Sequence, residues 1–537
     1  MTSRLLRFES FVLDLDRSRL LGPAGELALR PKSFDVVRHL LESAGRTVAK
    51  DELMKAVWPG VTVSDESLAQ CVSEIRRALG PAGPRILKTV PRRGYVIDVP
   101  VSAEAAQAAD ESPGTAPDSE AADVRASIAV LPFATAGATA GTATGTATGA
   151  VEAADLDRLA DGLGEDVIAG LSRIRAFWVI AGSTMFTYKG RTVDAREVGR
   201  DLDVHYVVSG RLRQADGRLR LSVQLTETAT GRQLWAATFD RAAGGGFELQ
   251  DDLTQCVVAS VQVQLIVSEG RAAARKAQSA AASAAPLGDL LARSWERLYR
   301  ATADGLAEVV ASAEKALQLD PANGEACRLL AAATWHQAYK GYVPWDEAVF
   351  ERVASLAQRA VLAEDADEFS HWVQALAHLM AGQHERAAVS LRRALDINPS
   401  FSLAYGTLGT VLAWAGASEE SIANNRRALK INPGDPLNPH RYFGLALAHY
   451  LAGRYGPAVD DAARAVQVLP DWWLGMMVYA AGLAGAGRLA EARTVVADLR
   501  RTRPDITLAS LATLPFARAA DREHLAQGLR KAGLPER

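Results

Sequence analysis

The residues best suited to chemistry in this chain form a polar and basic stretch between residues 65 and 97. Apolar residues at helical spacing predict one buried stripe on a helix over 65–80: Leu68, Val72, Ile75 and Leu79. The opposite face of this predicted helix is polar and carries Ser67, Gln70, Ser73, Glu74 and Arg77. Polar side chains on the outer face of a helix are able to read base edges in the major groove of DNA.

A basic hairpin is predicted directly after this helix. Residues 85–100 contain two β-strand runs around a turn, and Arg92 and Arg93 lie at its tip. Such a tip places guanidinium groups near phosphates or in the minor groove. Three further residues complete the predicted DNA-contacting set: Arg76, Lys88 and Thr89.

The net charge of this stretch is modest, with six basic and three acidic residues over 65–97. Because phosphate contacts supply most of the non-specific affinity for DNA, we expect one copy to bind weakly and a homodimer or tandem binding to supply the rest. Each residue also has a purely structural interpretation. Arg76 and Arg77 are then solvated charges of a helix face, and Gln70 is a surface residue.

Other titratable residues show no catalytic or metal-binding pattern. A predicted helix start explains the carboxylates at 161, 165 and 166, which the helix dipole favours there. His371, His378 and His384 are spaced seven and six residues apart, too far along a helix to share one ion. The three cysteines form no CxxC pair, and Cys71 is expected to be a core residue. We therefore expect no metal, no cofactor and no enzymatic activity.

Three predicted helices and a small sheet surround the basic stretch. Short apolar runs alternate over 4–29, and helical patterns over 33–43 and 50–58 precede the helix over 65–80. Over residues 4–100 this order resembles the winged helix of OmpR/PhoB-type response regulators. Three stretches are similar to its ToxR/CadC-like branch: RPKSFDVVRHLLESAGRTVAKDELMKAVWPG, VSDESLAQCVSEIRRALG and KTVPRRGY. The resemblance implies binding to double-stranded promoter DNA, with RNA polymerase as a further partner.

A solvated linker over 101–126, rich in Ala, Ser, Pro and acidic residues, separates this module from the next. Residues 127–268 alternate strand and helix patterns, open on SIAVLPF and resemble the TolB-N-terminal-like α/β domain. The Ala/Thr/Gly run over 134–150 predicts a flexible insertion. A second linker is expected over 269–285, although its alanine-rich composition also fits a frayed helix.

An internal repeat fills residues 286–537. Its prolines recur at spacings of 34, 37 and 34 residues: Pro399, Pro433, Pro470 and Pro504. Glycines with the same spacings precede them: Gly382, Gly416, Gly453 and Gly487. A Gly that closes one helix and a Pro that ends the next are typical of paired helices. The pattern resembles five or six tetratricopeptide repeats, with ten extra residues near 339–346, and implies a solenoid whose concave surface binds a protein or peptide.

Composition is consistent with a multidomain globular chain. The 537 residues carry a net charge of −3 and are 48% hydrophobic, which excludes a uniformly basic DNA coat and a disordered protein. The expected fold is an α+β winged helix, an α/β TolB-like domain and an all-α tetratricopeptide-repeat solenoid. We expect a cytoplasmic, sequence-specific transcriptional regulator with no membrane segment, which senses an effector or partner through the α/β and repeat domains. Alternatives are a non-catalytic scaffold and a regulatory protein in cyclic-nucleotide signalling.

Overall fold

The structure is a computed structural model, and it describes residues 3–9, 11–14, 19–22, 25–27, 29, 31–57, 65–90, 93–99, 101–106, 126–135, 147–244, 246–279 and 287–537. The chain divides into two compact units. The first contains residues 1–172 and 176–250, and the second contains residues 173–175 and 251–537.

The N-terminal part of the first unit is a five-stranded sheet, a group of helices and a two-stranded hairpin. Its strands are β1 (Ser3–Phe8), β2 (Phe11–Asp14), β3 (Arg19–Gly22), β4 (Gly25–Leu27), β5 (Leu87–Val90), β6 (Gly94–Ile97) and β7 (Val101–Ala106). Its helices are α1 (Pro31–Glu42), α2 (Lys50–Val57), α3 (Asp65–Ala78) and the short α4 (Gly83–Ile86). The sheet order is β4-β3-β2-β1-β7, and β5 pairs antiparallel with β6.

The predicted order of sheet, three helices and hairpin is confirmed, but the linker predicted over 101–126 begins too early. Residues Val101–Ala106 form β7, which pairs antiparallel with β1 over six residues from Ser3↔Ala106 to Phe8↔Val101. The composition of this segment lacks strong strand formers after Val101. Pairing with the edge of β1 therefore stabilises β7, and the local sequence does not reveal this pairing.

An α/β arrangement follows in the first unit. Its strands are β8 (Ala126–Val130), β9 (Ala134–Thr135), β10 (Phe177–Val179), β11 (Tyr206–Ala215), β12 (Arg218–Glu227) and β13 (Gln233–Ala242). Its helices are α5 (Ala147–Ser172), α6 (Gly182–Met185) and α7 (Ala195–Leu202). The order β10-β8-β11-β12-β13 is parallel at the first two pairings and antiparallel at the last two. At the predicted hairpin turn, Asp216 and Gly217 have φ angles of 51° and 68°.

Two expectations about this region need correction. Because α5 begins at Ala147, the carboxylates at 161, 165 and 166 lie inside a helix and not at its start, so the helix dipole does not explain them. Asp161 instead pairs with Lys189, and Asp166 accepts a 2.6 Å hydrogen bond from Gln250. A flexible insertion was predicted over 134–150. The two ends of this range belong to β9 and to the first turn of α5, and residues 136–146 lie outside the described residues.

The second predicted linker, over 269–285, is also wrong in part, because helix α8 (Gly246–Ser279) continues through most of it. Alanine has the highest helix propensity, and the first seven of the nine residues from 271 to 279 are Ala, Arg or Lys in an unbroken run. Residues from Asp251 onward belong to the second unit. In that unit the Gln262 side chain of α8 donates a 2.8 Å hydrogen bond to the Glu368 carboxylate. The boundary between the units therefore lies near 250, earlier than the predicted 268.

The second unit is a solenoid of six helix pairs followed by a final helix, within the five or six copies expected. The pairs run from α9 to α20 and have the bounds α9 (Leu287–Arg300), α10 (Ala303–Leu319), α11 (Gly324–Lys340), α12 (Glu347–Ala363), α13 (Glu368–Met380), α14 (His384–Ile397), α15 (Ser402–Trp414), α16 (Ser418–Ile431), α17 (Asn438–Leu451), α18 (Tyr455–Val468), α19 (Trp473–Gly485) and α20 (Leu489–Thr502). A 3-10 turn (Leu508–Thr513) leads to α21 (Ala519–Ala532).

The residues that reveal the repeat act as their types predict. All four glycines lie two residues after the first helix of a pair and have φ between 68° and 79°, a left-handed conformation that closes the helix. Each proline lies two residues after the end of the second helix. Alanines at the helix crossings, such as Ala394 and Ala428, are fully buried.

The second helix pair, α11 and α12, has its extra residues in other places than predicted. The ten extra residues were expected near 339–346, but α11 and α12 are 17 residues each, against 13 and 14 in the next pair. The insertion is therefore shared between longer helices and a longer turn. That turn contributes to a contact with the C-terminal segment, because Trp345 Nε1 donates to the carbonyl of Thr513 at 3.0 Å.

Candidate nucleic-acid interface

The buried stripe of α3 determines which of its side chains face outward. Leu68, Val72, Ile75 and Leu79 are all at most 3% exposed and lie in one hydrophobic core with residues of α1, α2, β5 and β6. Because these four residues fix the rotation of the helix, Ser73 and Arg77 are exposed on another face. The predicted helix and its buried stripe are present, and Ser73 and Arg77 of the predicted polar face are exposed.

Arg76 connects this helix to the hairpin. Its Nε donates a 2.9 Å hydrogen bond to the carbonyl of Leu87, and its Nη2 donates a 2.8 Å bond to the hydroxyl of Thr89. Both acceptors belong to β5. A planar guanidinium with two such bonds restrains the distance and orientation between α3 and the hairpin. Arg76 and Thr89, two of the predicted contact residues, thus position the two elements in the structure.

Glu74 has a comparable role on the other side of α3. Its carboxylate accepts a 2.8 Å hydrogen bond from the hydroxyl of Ser33, which is fully buried at the start of α1. A hydrogen bond to a charged acceptor is stronger than one between neutral groups. The bond therefore ties α3 to α1 and reduces the freedom of Glu74 to meet a base.

Four of the predicted contact residues are exposed and take no part in the bonds described above: Ser73, Arg77, Lys88 and Arg93. We call these four residues the reading surface. Lys88 forms a 2.8 Å ion pair with Asp98, the residue directly after β6, and the ammonium lowers the pKa of that carboxyl. Arg77 has its guanidinium 5.5 Å from the centre of the Trp178 ring. An exposed contact of that kind contributes about 0.5–1 kcal/mol, less than a good base contact at about 1–3 kcal/mol.

All ten predicted contacts with DNA remain predictions, and for three of these residues the structure describes no side chain. Ser67 and Gln70 belong to α3, but their side chains lie outside the described residues, and Arg92 lies outside them entirely. Arg93, next to it, is exposed and its backbone N–H donates to the carbonyl of Val90, which closes the hairpin turn.

Sequence reasoning missed the partners of the basic residues. Arg85 forms a bidentate pair with Glu9, at 2.6 and 2.7 Å, and this hydrogen bonding raises the pKa of the arginine. Glu9 and Asp98 both lie outside the segment 65–97, so the local charge balance overstates the free positive charge. Arg85 and Glu9 are 76 residues apart in the chain, and the periodicity of a helix or a strand does not predict a contact at that separation.

Within the described part of the chain, no group of three or more His, Cys, Asp or Glu side chains is arranged to hold a metal ion. None of the described helices combines the length and apolar character that crossing a membrane requires.

Residues 24–97 match the family described as "Transcriptional regulatory protein, C terminal". The transcriptional regulator HilA of Salmonella typhi is 36% identical over 95 residues, which are 18% of this chain and 17% of HilA. Putative adenylate cyclase 3 of Rhizobium meliloti is 31% identical over 221 residues, which are 41% of this chain and 36% of that protein. The solved DNA-binding domain of Escherichia coli CadC is 26% identical, covers 19% of this chain and 98% of that domain, and gives a TM-score of 0.18.

These matches define the class of the N-terminal module: it is a winged-helix DNA-binding domain of transcription regulators, of the OmpR/PhoB type. The chain joins this domain to a tetratricopeptide-like solenoid. It spans 36% of the length of the cyclase and 17% of that of HilA.

Proposed function

We propose that this protein is a sequence-specific, DNA-binding transcriptional regulator in which α3 enters the major groove and the β5–β6 hairpin contacts the backbone. The observation that carries the proposal is the Arg76 bridge from α3 to Leu87 and Thr89. A helix and a wing held at a fixed spacing by a bidentate side chain form a preorganised surface, which binds DNA with less loss of conformational freedom.

Base reading is assigned to the outward face of α3. Arg77 is its exposed basic residue, and Ser73 lies beside it. Arginine bonds two acceptors of guanine at once, and serine is able to bond to several bases. Ser67 and Gln70 are included in the reading set on their sequence positions.

Backbone contacts are assigned to the hairpin. Lys88 and Arg93 are exposed, and Arg92 joins them on its position at the turn. Lys88 exchanges its Asp98 partner for a phosphate, since an exposed ion pair contributes little to stability. With few free cations per copy, affinity at physiological salt comes from two copies on paired half-sites, so a homodimer is part of the proposal.

The test is selection of DNA from a random pool by the full-length protein at near-physiological salt. Arg77→Ala is expected to relax the enriched motif at one base position, and the double change Arg92→Ala/Arg93→Ala is expected to weaken binding without changing the motif. Arg38→Ala is the matched control, because Arg38 is an exposed arginine of α1 that pairs only with Asp35 among the contacts described. An enriched motif that Arg77→Ala leaves unchanged at every position contradicts the assignment of α3.

Regulation is assigned to the α/β part and the solenoid, where an effector or a protein partner binds and changes self-association on DNA. The support is the joining of one weakly basic DNA-binding module to a repeat fold whose stacked helices offer a large surface. Residues 3–106 have a hydrophobic core of their own, so this fragment serves as the comparison. Equal operator affinity of the fragment and the full chain would contradict the assignment. We propose a cytoplasmic location, which a DNA-binding role favours, and RNA polymerase as a partner at the promoter.

A role in cyclic-nucleotide signalling is the second candidate, favoured by the similarity to a putative adenylate cyclase over 221 residues. Saturable binding of a cyclic nucleotide to the full-length protein, with an effect on DNA affinity, would support it. The absence of both leaves the first proposal alone.

A further inference from the structure

The antiparallel part of the α/β sheet has one buried side and one exposed side, since side chains alternate along a strand. Leu212, Leu219 and Leu221 on β11 and β12 point to the buried side and are at most 1% exposed. The residues that alternate with them are exposed, and they include four arginines: Arg211, Arg213, Arg218 and Arg220. We call these four residues the arginine face.

The pairing of β11 with β12 brings the four arginines together. Arg213 lies directly opposite Arg220, and Arg211 and Arg218 each lie two residues along their strand from one member of this pair. Two residues of a strand span roughly 7 Å. Like charges directly opposite each other destabilise a sheet. The arginine face is therefore a concentration of positive charge whose mutual repulsion would be removed by anionic groups bound to it.

One carboxylate of the sheet neutralises part of this charge. Asp240 on β13 lies opposite Arg220 and accepts 2.8 Å hydrogen bonds from Arg218 Nε and Arg220 Nη2. These bonds lower the pKa of the Asp240 carboxyl. A further carboxylate, that of Asp216, belongs to the turn between β11 and β12.

The two arginines of β11 have no such neighbour. Among the contacts of the described residues, no ion pair involves Arg211 or Arg213. Both side chains are exposed. They are therefore able to bind an anion without first giving up a carboxylate partner.

The other side chains on the exposed side of the sheet are small or uncharged. Those with polar groups are Ser209 on β11, Ser222 and Gln224 on β12, and Thr238 on β13. Over residues 209–215, 218–224 and 236–242, this side of the sheet carries no aromatic and no large apolar side chain. Single-stranded nucleic acids bind by stacking on aromatic rings, and protein interfaces depend on large buried anchors. Neither kind of partner suits this surface.

The phosphate backbone of a duplex does suit it. Guanidinium, hydroxyl and amide groups are the usual side-chain partners of DNA phosphates. Duplex DNA carries one negative charge per about 1.7 Å of its axis, so several phosphates lie within reach of long side chains that are roughly 5–7 Å apart. The charge of the surface and the chemistry of its side chains both match this ligand.

We infer that the arginine face binds the phosphate backbone of double-stranded DNA without reading its sequence. Residues 206–242 contain six arginines and three acidic residues, the same balance as residues 65–97, although the whole chain has a net charge of −3. The α/β part thus supplies phosphate contacts in addition to the few that the winged helix offers, and these contacts raise the affinity of one chain for any duplex.

This inference extends the proposed function and rests on it for the identity of the ligand. Recognition of an operator is assigned to α3, whereas the arginine face contributes only affinity that is independent of sequence. It is therefore measured on a duplex that lacks the selected motif. Failure of sequence recognition by α3 and failure of the arginine face are then separate results.

The experiment is fluorescence anisotropy of the full-length protein with a long labelled duplex of arbitrary sequence, over a range of salt concentrations. The double change Arg211→Gln/Arg213→Gln removes two cations and keeps polar side chains. We expect it to reduce the slope of log affinity against log salt concentration by about two, and to lower affinity at near-physiological salt about tenfold or more.

The matched control is Arg500→Gln/Arg501→Gln, which removes the same charge from two exposed residues of α20. It is expected to leave the salt slope unchanged. Circular dichroism checks that both double variants are folded. Asp240→Asn acts in the opposite direction, because it releases Arg218 and Arg220 from their carboxylate partner, and it is expected to raise affinity for the same duplex.

A salt slope that falls in the Arg211→Gln/Arg213→Gln protein and not in the control, together with tighter binding by Asp240→Asn, supports the inference. Equal slopes for the two double variants overturn it. Binding to phosphatidylglycerol vesicles that only Arg211→Gln/Arg213→Gln abolishes, with DNA binding unchanged, also overturns it and assigns the surface to an anionic membrane. Selection of DNA by the Arg77→Ala variant tests the regulator proposal separately.

Discussion

The reading surface and the core of the repeats use charged side chains in opposite ways. Lys88 on the reading surface is exposed and has a carboxylate partner that it can exchange at little cost. In the core of the repeats, Arg441 and Asp435 are buried and pair with each other. A surface of exchangeable pairs suits a large, highly charged ligand such as DNA, whereas a buried pair is costly to break and constrains the fold.

The two regions also differ in what holds them together. Arg76 braces α3 through two hydrogen bonds to one neighbouring strand. The core of the repeats contains instead a buried ion pair, Arg441 with Asp435, whose side chains are 2% and 1% exposed. Substitutions are therefore expected to change binding at the first region and stability at the second.

The largest effect is expected from Asp435→Ala. Removal of one partner leaves the Arg441 guanidinium buried and uncompensated, which costs about 3–5 kcal/mol of folding free energy. Urea unfolding of the full chain, followed by circular dichroism, measures the loss in the transition of the repeats. Glu491→Ala is the control, because Glu491 belongs to an exposed pair with Arg488 and its removal should leave that transition unchanged. Equal shifts for the two variants would show that burial does not distinguish them.

A smaller and purely functional effect is expected from Arg77→Ala. Loss of a bidentate base contact lowers affinity for the selected DNA site by about 1–3 kcal/mol and reduces discrimination at one base position. Arg93→Ala should instead weaken binding to all sequences alike and reduce the salt dependence of the affinity by about one ion. Fluorescence anisotropy over a range of salt concentrations separates the two. If Arg77→Ala alone changed the salt dependence of the affinity, the roles assigned to Arg77 and Arg93 would have to be exchanged.

The pH dependence of stability should reveal Glu368. Burial, reinforced by the nearby Asp367 charge, raises its pKa to about 7, while Gln262 and Asn398 donate hydrogen bonds to it. Because the folded-state pKa lies above the unfolded value near 4.5, the protonated form stabilises the fold fully below about pH 4.5. This contribution is lost as the pH rises through about 7.

Glu368→Gln tests this dependence, since the amide keeps the accepting oxygen and does not titrate. Thermal unfolding between pH 5 and 8 should show a decline in the wild type that is shallower in the variant. Parallel curves for the two proteins would mean that Glu368 does not titrate in this range.

The smallest effect is expected from Asp98→Asn. The substitution releases Lys88 from its ion pair, so DNA affinity should rise by a factor of no more than about three, because exposed pairs contribute little. Binding to the selected site at low and high salt measures the change. A fall in affinity would indicate that the pair positions Lys88 and does not merely neutralise it.

Local sequence patterns predicted the elements that carry the candidate interface. The apolar stripe of α3 is buried as its spacing requires, since a 3.6-residue period admits only one core-facing side. The glycines and prolines of the repeats end helices for reasons of backbone geometry that each residue carries with it. These predictions succeeded because the determining forces act within a few residues.

Long-range partners escaped the same reasoning. Glu74 and Arg76 were predicted to contact DNA, yet their bonds to Ser33 and to Leu87 and Thr89 join segments 41 and 11 to 13 residues apart. The periodicity of a helix or a strand does not predict contacts at these separations. The strand β7 was missed for the same reason, because its stability comes from the edge of β1.

The sequence by itself therefore determined the winged-helix class of the N-terminal module, the buried stripe of α3 and the repeat that builds the solenoid, because periodic burial and backbone preference are local properties. Only the tertiary structure decided which charges are paired across distant segments and which side chains of different repeats meet. Trp335 and His440 are more than one hundred residues apart in the chain, and the stacking of the repeats brings both into the lining of one pocket.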